Sequence, residues 1–451
     1  MPKRLGLVLV TSRDLTGEPL TLRRLLVIYF PLALSWVMMA AEMPICSGFV
    51  NRLPDNRVQI AALLVLTSIA LFIESPVIDL LATSTTLARS LQNFSAIRKF
   101  SVILLVSAGV VHFLVAVTPL FDWVMLGLLG QKKEVADAVR IPMLTMVLWS
   151  PAIGWRRHVQ GLLIRNGSTS PIGAGTAVRV TTILVTCFIG YSLHRLPGAE
   201  VAAIALTTSV IAEAVFIQVA GKRLMNNHVW PETDSAPLRL RDLAAFHGPL
   251  TFSTMVTIAS MPLIIRALAQ APDNLLAMNS WQVCLTLAFL LRTITFALPE
   301  VVIANWNSGS NSWLLVRFCT GVGLGLSLLI GVMCATGADV WFFANVTHAD
   351  PQVTSGAHKA FLMCLLLPTL SAMTSYVRGV MTAEQVTSSR LYATVWSVLS
   401  LLALLALGVS NKWPGVVTAA VAVTGSQFAE MAVLLGYVRA RIGLRAFLPQ
   451  S

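Results

Sequence analysis

VQIAALLVLTSIALFIESPVIDLLATSTTL, residues 58–87, is a hydrophobic run that carries Glu74-Ser75-Pro76 and then Asp79 where hydrocarbon is expected. The run is long enough to span a bilayer as a helix, because about 20 apolar residues at 1.5 Å rise cover its apolar core. Ionised groups at that depth are costly, so Glu74 and Asp79 need a reason. Outward from this stretch, eleven further runs of comparable length lie near 26–49, 101–122, 139–163, 170–193, 199–221, 245–268, 277–300, 314–338, 359–381, 388–410 and 415–438. Continuous runs of this length, in place of short alternating segments, predict helices and exclude a barrel. The fold class is therefore an all-α polytopic membrane protein with twelve transmembrane helices.

Composition points the same way. A chain that is 56% hydrophobic and 12% charged, with mean hydropathy +0.76, is too apolar to hide its surface in a soluble core. The first hump, residues 5–10, is short and is followed by Arg13 and Asp14, so no secretory signal is expected. The net charge of +12 raises the question of nucleic acid, which the distribution answers. Of the Lys and Arg residues, twenty-one fall on one side of the alternating connections and nine on the other, with Arg179 and Arg292 left inside apolar runs. This positive-inside bias predicts a multi-pass protein of the cell (inner) membrane with both termini cytoplasmic, and needs no nucleic-acid partner. The expected partners are the lipid bilayer and a small-molecule substrate, with a monomer as the working unit. Six cysteines are scattered through apolar segments and read as neither a disulfide framework nor a metal site. No Walker motif, nucleophile elbow or ligand-spaced His/Cys/carboxylate cluster is present, so an enzyme, an ATP-driven pump, a cofactor and a metal are all unexpected.

The two halves align at a nearly constant offset. Pro31-Leu32 matches Pro249-Leu250, Met43-Pro44 matches Met261-Pro262, and Pro54-Asp55-Asn56 matches Pro272-Asp273-Asn274, all 218 residues apart. Gly161 and Gly379 keep that spacing, while Pro151 and Pro368, and Ala212-Glu213 and Ala429-Glu430, are 217 apart. Six helices per half is an even number, so both halves enter the membrane the same way round. The expectation is two parallel six-helix repeats: an N-lobe at 1–225 with the cytoplasmic N-terminal segment, a cytoplasmic linker at 226–242 and a C-lobe at 243–451. Connections before the fourth and tenth helices, at 130–137 and 349–355, read as interfacial caps.

Residues 131–137, 161–170 and 197–203, repeated at 350–355, 379–388 and 414–420, resemble the acidic cap, small-residue inner turn and Gly-rich outer turn of the multidrug and toxic compound extrusion (MATE) family and its wider flippase superfamily. Within that superfamily the chain is most similar to the progressive ankylosis protein family. The residues are Pro31-Leu32, Asn51-Arg52, Pro76 with Asp79, Phe246 with Pro249-Leu250, Pro262, and Gly379 with Met381-Thr382. The resemblance implies a two-lobe transporter working by alternating access, and the closer likeness implies export of small anions such as citrate, ATP or pyrophosphate. The first helix departs from that family in carrying one acid, Glu42, in place of an acidic pair.

The candidate substrate and ion pathway is Glu42, Glu74, Asp79, Arg179 and Arg292. Glu74, Asp79 and Thr83 share one broad helical face, and Pro76 is expected to kink the helix beside them. Asp79 reads either as a cavity carboxylate or as an interfacial partner of Arg89. Arg292 falls 218 residues after Glu74 and has no acid one turn away, so it needs a carboxylate or an anionic substrate, with Glu74 the first candidate. Glu42, just before Pro44, is where the resemblance to MATE proteins puts a coupling carboxylate, so it reads either as a coupling group for H+ or Na+ or as a satisfied structural acid; its repeat position holds Ser260. Arg179 is expected to pair with Glu213 or to add to a positive cavity. Glu213 and Glu430 recur in both halves and suit a structural role, with Pro44, Pro76, Pro262 and Arg378 as structural or gating positions. Arg156-Arg157-His158 and Arg378 are expected at inner helix ends, as interfacial anchors or as a basic vestibule. The expected function is export of a small organic or phosphorylated anion. The alternatives are a proton- or sodium-coupled multidrug antiporter, a lipid-linked precursor flippase and a non-transporting membrane scaffold; intramembrane charges argue against the scaffold.

Overall fold

The computed structural model describes residues 20–50, 52–129, 131, 133–226, 238–306, 311–347, 349–441 and 443. The amino-terminal segment, Asn51 and the linker stretch 227–237 lie outside the described residues. The chain divides into two compact units, Met1–Leu240 and Arg241–Ser451, which meet near the end of the expected linker. The N unit holds α1 (Leu22–Val50), α2 (Val58–Leu87), α3 (Leu91–Val117), α5 (Ser170–Leu193) and α6 (Gly198–Lys222). Its α4 is built from Lys133–Thr145, a 3-10 turn at Met146–Leu148, and Trp149–Arg165. The C unit repeats this order as α7 (Leu240–Leu268), α8 (Leu276–Asn305), α9 (Ser312–Thr336), α10 (Pro351–Met363 with Leu367–Ala383), α11 (Ser388–Ser410) and α12 (Gly415–Arg441).

Ten of these helices are long and apolar enough to cross a membrane, and α10 makes an eleventh as one span bent by 43°. The twelfth, α4, is diluted by Arg156, Arg157, His158 and Gln160, which are buried within the bundle. The architecture is thus the expected twelve-helix, two-repeat one. Each unit has its own core, around Leu66, Met143, Trp149 and Leu206 in the first and Trp281, Phe343, Phe361 and Leu401 in the second.

Proline sets the irregularities, because it cannot donate to the carbonyl four residues back. The 3-10 turn at Met146–Leu148 precedes Pro151, that at Ile294–Ala297 precedes Pro299, and the bend of α10 precedes Pro368. Pro76 stands inside a helical run. The helix runs through it to Ile78 and breaks at Asp79, while the Ser75 hydroxyl donates to the Phe72 carbonyl that Pro76 leaves without its usual donor, at 2.7 Å. A side chain thus stands in for the missing backbone donor. Pro44 lies in the second part of α1, just after its break at Ala41, and Pro262 lies in the helical run of α7.

The interfacial caps also differ from expectation. Leu120–Asp122 with the π-helical turn Trp123–Leu128, and Ala338–Asn345, are the short connecting helices. Glu134–Asp137 and residues 351–355 already belong to α4 and α10, because their polar residues occupy the first turns of those helices.

The repeat is written in close contacts. A Cβ on Gly161 of α4 would lie 2.6 Å from the Leu81 carbonyl oxygen and from Ser84 Cβ of α2. A Cβ on Gly379 of α10 would lie 2.7 Å from Val302 Cβ and 3.0 Å from the Pro299 carbonyl oxygen of α8, the equivalent positions. Only glycine lets these backbones approach so closely. Similarly, Ser35 and Thr176 share a hydrogen bond of 2.6 Å between α1 and α5, and Ser253 and Thr394 one of 2.7 Å between α7 and α11. Gly161→Leu is expected to lower thermal stability by at least the ~1–3 kcal/mol of an overpacked core. Gly436→Ala, with nothing within 4 Å of the added Cβ, is expected to be near neutral. Equal melting of the two variants in detergent would contradict the close-approach role of Gly161.

Candidate functional site

In the N unit the buried charges converge on Glu213, which is fully buried in α6. Its Oε2 accepts from Arg156 of α4 at 2.6 Å and from Arg179 of α5 at 3.5 Å. Its Oε1 accepts from the Thr176 hydroxyl at 3.3 Å and the Gln160 amide at 3.5 Å. Arg179 in turn donates to Glu42 of α1 at 2.5 Å. One carboxylate thereby joins α4, α5 and α6, and Arg179 extends the network to α1. Buried ions are tolerated in this way, each charge compensated and hydrogen-bonded by a neighbour. Arg179 therefore lies between two carboxylates and adds no net positive wall.

Arg157, also buried, stacks its guanidinium over the Trp36 ring at 5.0 Å. His158 stacks on Phe94 at 5.2 Å and shares a hydrogen bond of 2.8 Å with Ser84. The expectation that this triplet sits at an inner helix end is corrected here. All three side chains face the interior, because Trp149–Arg165 continues beyond them and packs against α2, α3 and α6.

Glu74, on α2, is buried, and Arg157, Arg156 and Arg179 attract it electrostatically while Glu42 repels it. Among the described residues its Oε2 has no hydrogen-bond partner, nor has Glu42 Oε1 or Arg156 Nη2. Among these buried N-unit groups Glu42, Glu74 and Glu213 equal Arg156, Arg157 and Arg179 in number, and Glu42, Glu213, Arg156 and Arg179 are joined in one network. Asp79, buried at the α2 break, is positioned by the chain turn and does not cap the following helix with its side chain.

The C unit is built differently at the same places. The repeat positions of Glu42 and Arg179 are Ser260 and Ser397, so that ion pair has no equivalent. Glu430 pairs with Arg378 of α10, whose repeat position is Gln160, not Arg156. Arg292 of α8 is half-buried, 3.5 Å from the Ser371 hydroxyl and 5.7 Å from the Phe296 ring centre. Glu430 attracts it from a distance and Arg378 repels it, and it makes no ion pair among the described residues. Glu74 and Arg292 belong to separate units, and each has its own surroundings there. Sequence reasoning missed Gln160 and Ser371 as polar partners; the repeat offset links Gln160 to Arg378 and was the signal available.

The described helices and their connections reproduce the MATE fold. A scan against models of known families finds no match, and a search of curated proteins finds none either. Solved structures do match. A MOP superfamily transporter from Pyrococcus furiosus is similar at 14% identity with TM-score 0.73, covering 94% of this chain and 97% of that one. An outward-facing multidrug resistance MATE family transporter has 14% identity and TM-score 0.74 over 94% and 96% of the two chains. A mutant of the Vibrio cholerae MATE transporter VcmN has 18% identity and TM-score 0.75 over 94% and 97%. At these identities the likeness defines the fold.

Proposed function

We propose that the chain is a secondary transporter that moves a small organic or phosphorylated anion outward by alternating access of its two units, coupled to H+ or Na+. The observation that carries this reading is Arg292, a half-buried cation that makes no ion pair among the described residues and has the Ser371 hydroxyl and the Phe296 ring beside it. A guanidinium presents planar paired donors to carboxylate or phosphate, and an anion compensates such a charge at low cost. Arg378 adds a second cation beside Glu430, so among these described groups positive charge outnumbers negative.

The N unit supplies the coupling group. Its cluster is balanced when every member is ionised, so protonating Glu74, whose Oε2 has no partner, leaves one net positive charge there. The same carboxylate favours a second reading, proton-coupled export of a cation, in which Glu74 stays free to meet the cargo. The Pyrococcus furiosus protein is described as having a binding pocket of reverse polarity that suggests a different function for it, so the fold is compatible with pockets of more than one charge.

Reconstitution separates the readings. Proteoliposomes under separately imposed proton and sodium gradients are expected to move labelled citrate or nucleotide and not a cationic dye. Movement of the dye without the anion overturns the proposal.

A further inference from the structure

At the end of the C unit that the basic-residue bias assigns to the outside, three side chains of ligand type come together. Cys334 lies in the last turn of α9, Asp339 in the first turn of the short helix Ala338–Asn345, and His358 two turns into α10. Gly337, with φ of +74°, makes the turn that folds Asp339 back beside Cys334. Asp339 Oδ2 lies 3.8 Å from Cys334 Sγ and 2.6 Å from His358 Nδ1. All three ligand atoms lie within 4.8 Å of one another.

We propose that Cys334, Asp339 and His358 bind a divalent cation of the Zn2+ class, with the fourth position left to water. Ligand atoms around tetrahedral zinc are about 3.3–3.7 Å apart, given bonds of roughly 2.0–2.3 Å. The Cys–Asp pair already has nearly that spacing, and the His–Asp pair reaches it by opening less than about 1 Å. A thiolate, a carboxylate and a neutral imidazole neutralise Zn2+ in full, which suits a site at the edge of an apolar bundle. Coordination releases the thiol proton.

Two further observations point to a ligand. Asp339 is fully buried, yet its Oδ1 has no hydrogen-bond partner among the described residues, where the histidine and the thiol meet Oδ2 alone. Cys334 and His358 are only partly buried, which gives an ion a way in. The repeat supplies the second point. The equivalent N-unit positions are Ala116, Phe121 and Arg140. There Arg140 lies over the Phe121 ring at 4.5 Å and donates to Asp122 at 2.6 Å, clasping the connecting helix to α4 without any ligand-type cluster. The C unit makes the corresponding clasp from three metal-ligating residues, each a change from its repeat partner. A bound cation would then tie Ala338–Asn345 to α9 and α10.

The test uses the full-length protein purified in detergent and titrated with Co2+, which reports thiolate coordination by a near-ultraviolet charge-transfer band. One equivalent is expected to saturate a tetrahedral spectrum, and Zn2+ is expected to displace it and raise the melting temperature. Cys334→Ser is expected to abolish the charge-transfer band, and His358→Ala to weaken Zn2+ by at least the ~10-fold loss that even an outer-shell partner causes. Melting of each variant without metal distinguishes a lost ligand from a lost fold. Binding without saturation, or equal binding by wild type and both variants, overturns the proposal, as does a wild-type melting temperature indifferent to Zn2+ and chelator.

Discussion

Arg292→Gln is expected to lower affinity for the proposed anionic substrate by about 10- to 100-fold while leaving the protein folded. The magnitude follows from the ~1.5–3 kcal/mol of a hydrogen bond to a charged group, at 1.4 kcal/mol per tenfold. The unaffected fold follows from what Arg292 touches. A hydroxyl at 3.5 Å and a ring at 5.7 Å are weak attachments, and no carboxylate is left unpaired when the guanidinium goes. Arg378→Gln differs in kind, since it removes the ion-pair partner of buried Glu430. Equilibrium binding of a labelled anion, measured beside thermal melting, separates the two effects. Unchanged affinity in a folded Arg292→Gln protein contradicts the role assigned to this residue.

The largest stability effect is expected at Glu213. Glu213→Gln leaves Arg156 without its carboxylate and Arg179 with Glu42 alone, and both side chains are at most 3% exposed. Breaking a buried pair from one side costs about 3–5 kcal/mol, because the remaining charge is stranded. Adding Arg156→Gln to Glu213→Gln is expected to recover part of the loss, since it removes the stranded cation while Arg179 keeps Glu42. Glu430→Gln is expected to cost less, because the Arg378 side chain is 22% exposed and can be solvated. Melting temperatures of these proteins and of Arg156→Gln alone, in one detergent, check this. Additive losses in the double variant would show that Arg156 and Glu213 do not stabilise each other.

The fold was legible because the repeat leaves physical marks in the sequence. Gly161 and Gly379 match in sequence because α4 crosses α2, and α10 crosses α8, at a separation that admits no Cβ. Pro151 and Pro368 match because each ends the same irregular turn. Depth and facing were less legible. Hydropathy placed Arg156-Arg157-His158 at a helix end, since three polar residues in a row look like an interface. They lie in the interior because Glu213, Trp36, Ser84 and Phe94 meet them from other helices, and no one-dimensional scale records those partners. At Pro76 the helical run continues to Ile78 and breaks at Asp79, and the Ser75 hydroxyl bonds the Phe72 carbonyl that Pro76 cannot reach. The Cys334, Asp339 and His358 cluster has spacings of 5 and 19 residues, which match no ligand motif. A glycine turn and a helix pairing bring it together.

The asymmetry between the units carries the functional reading. The N unit balances its buried charges among Glu42, Glu74, Glu213 and three arginines, whereas the C unit replaces Glu42 and Arg179 by serines and leaves Arg292 with a hydroxyl. A protein selected only for packing would gain from removing such a cation; a carrier of anions has a use for it.

Flux through proteoliposomes tests the central claim most directly, with wild type and Arg292→Gln reconstituted side by side and offered labelled citrate or nucleotide and a cationic dye. The wild type is expected to move the anion, and the folded variant to move little of it. Dye transport that proceeds without anion transport, and is indifferent to Arg292→Gln, would contradict the account.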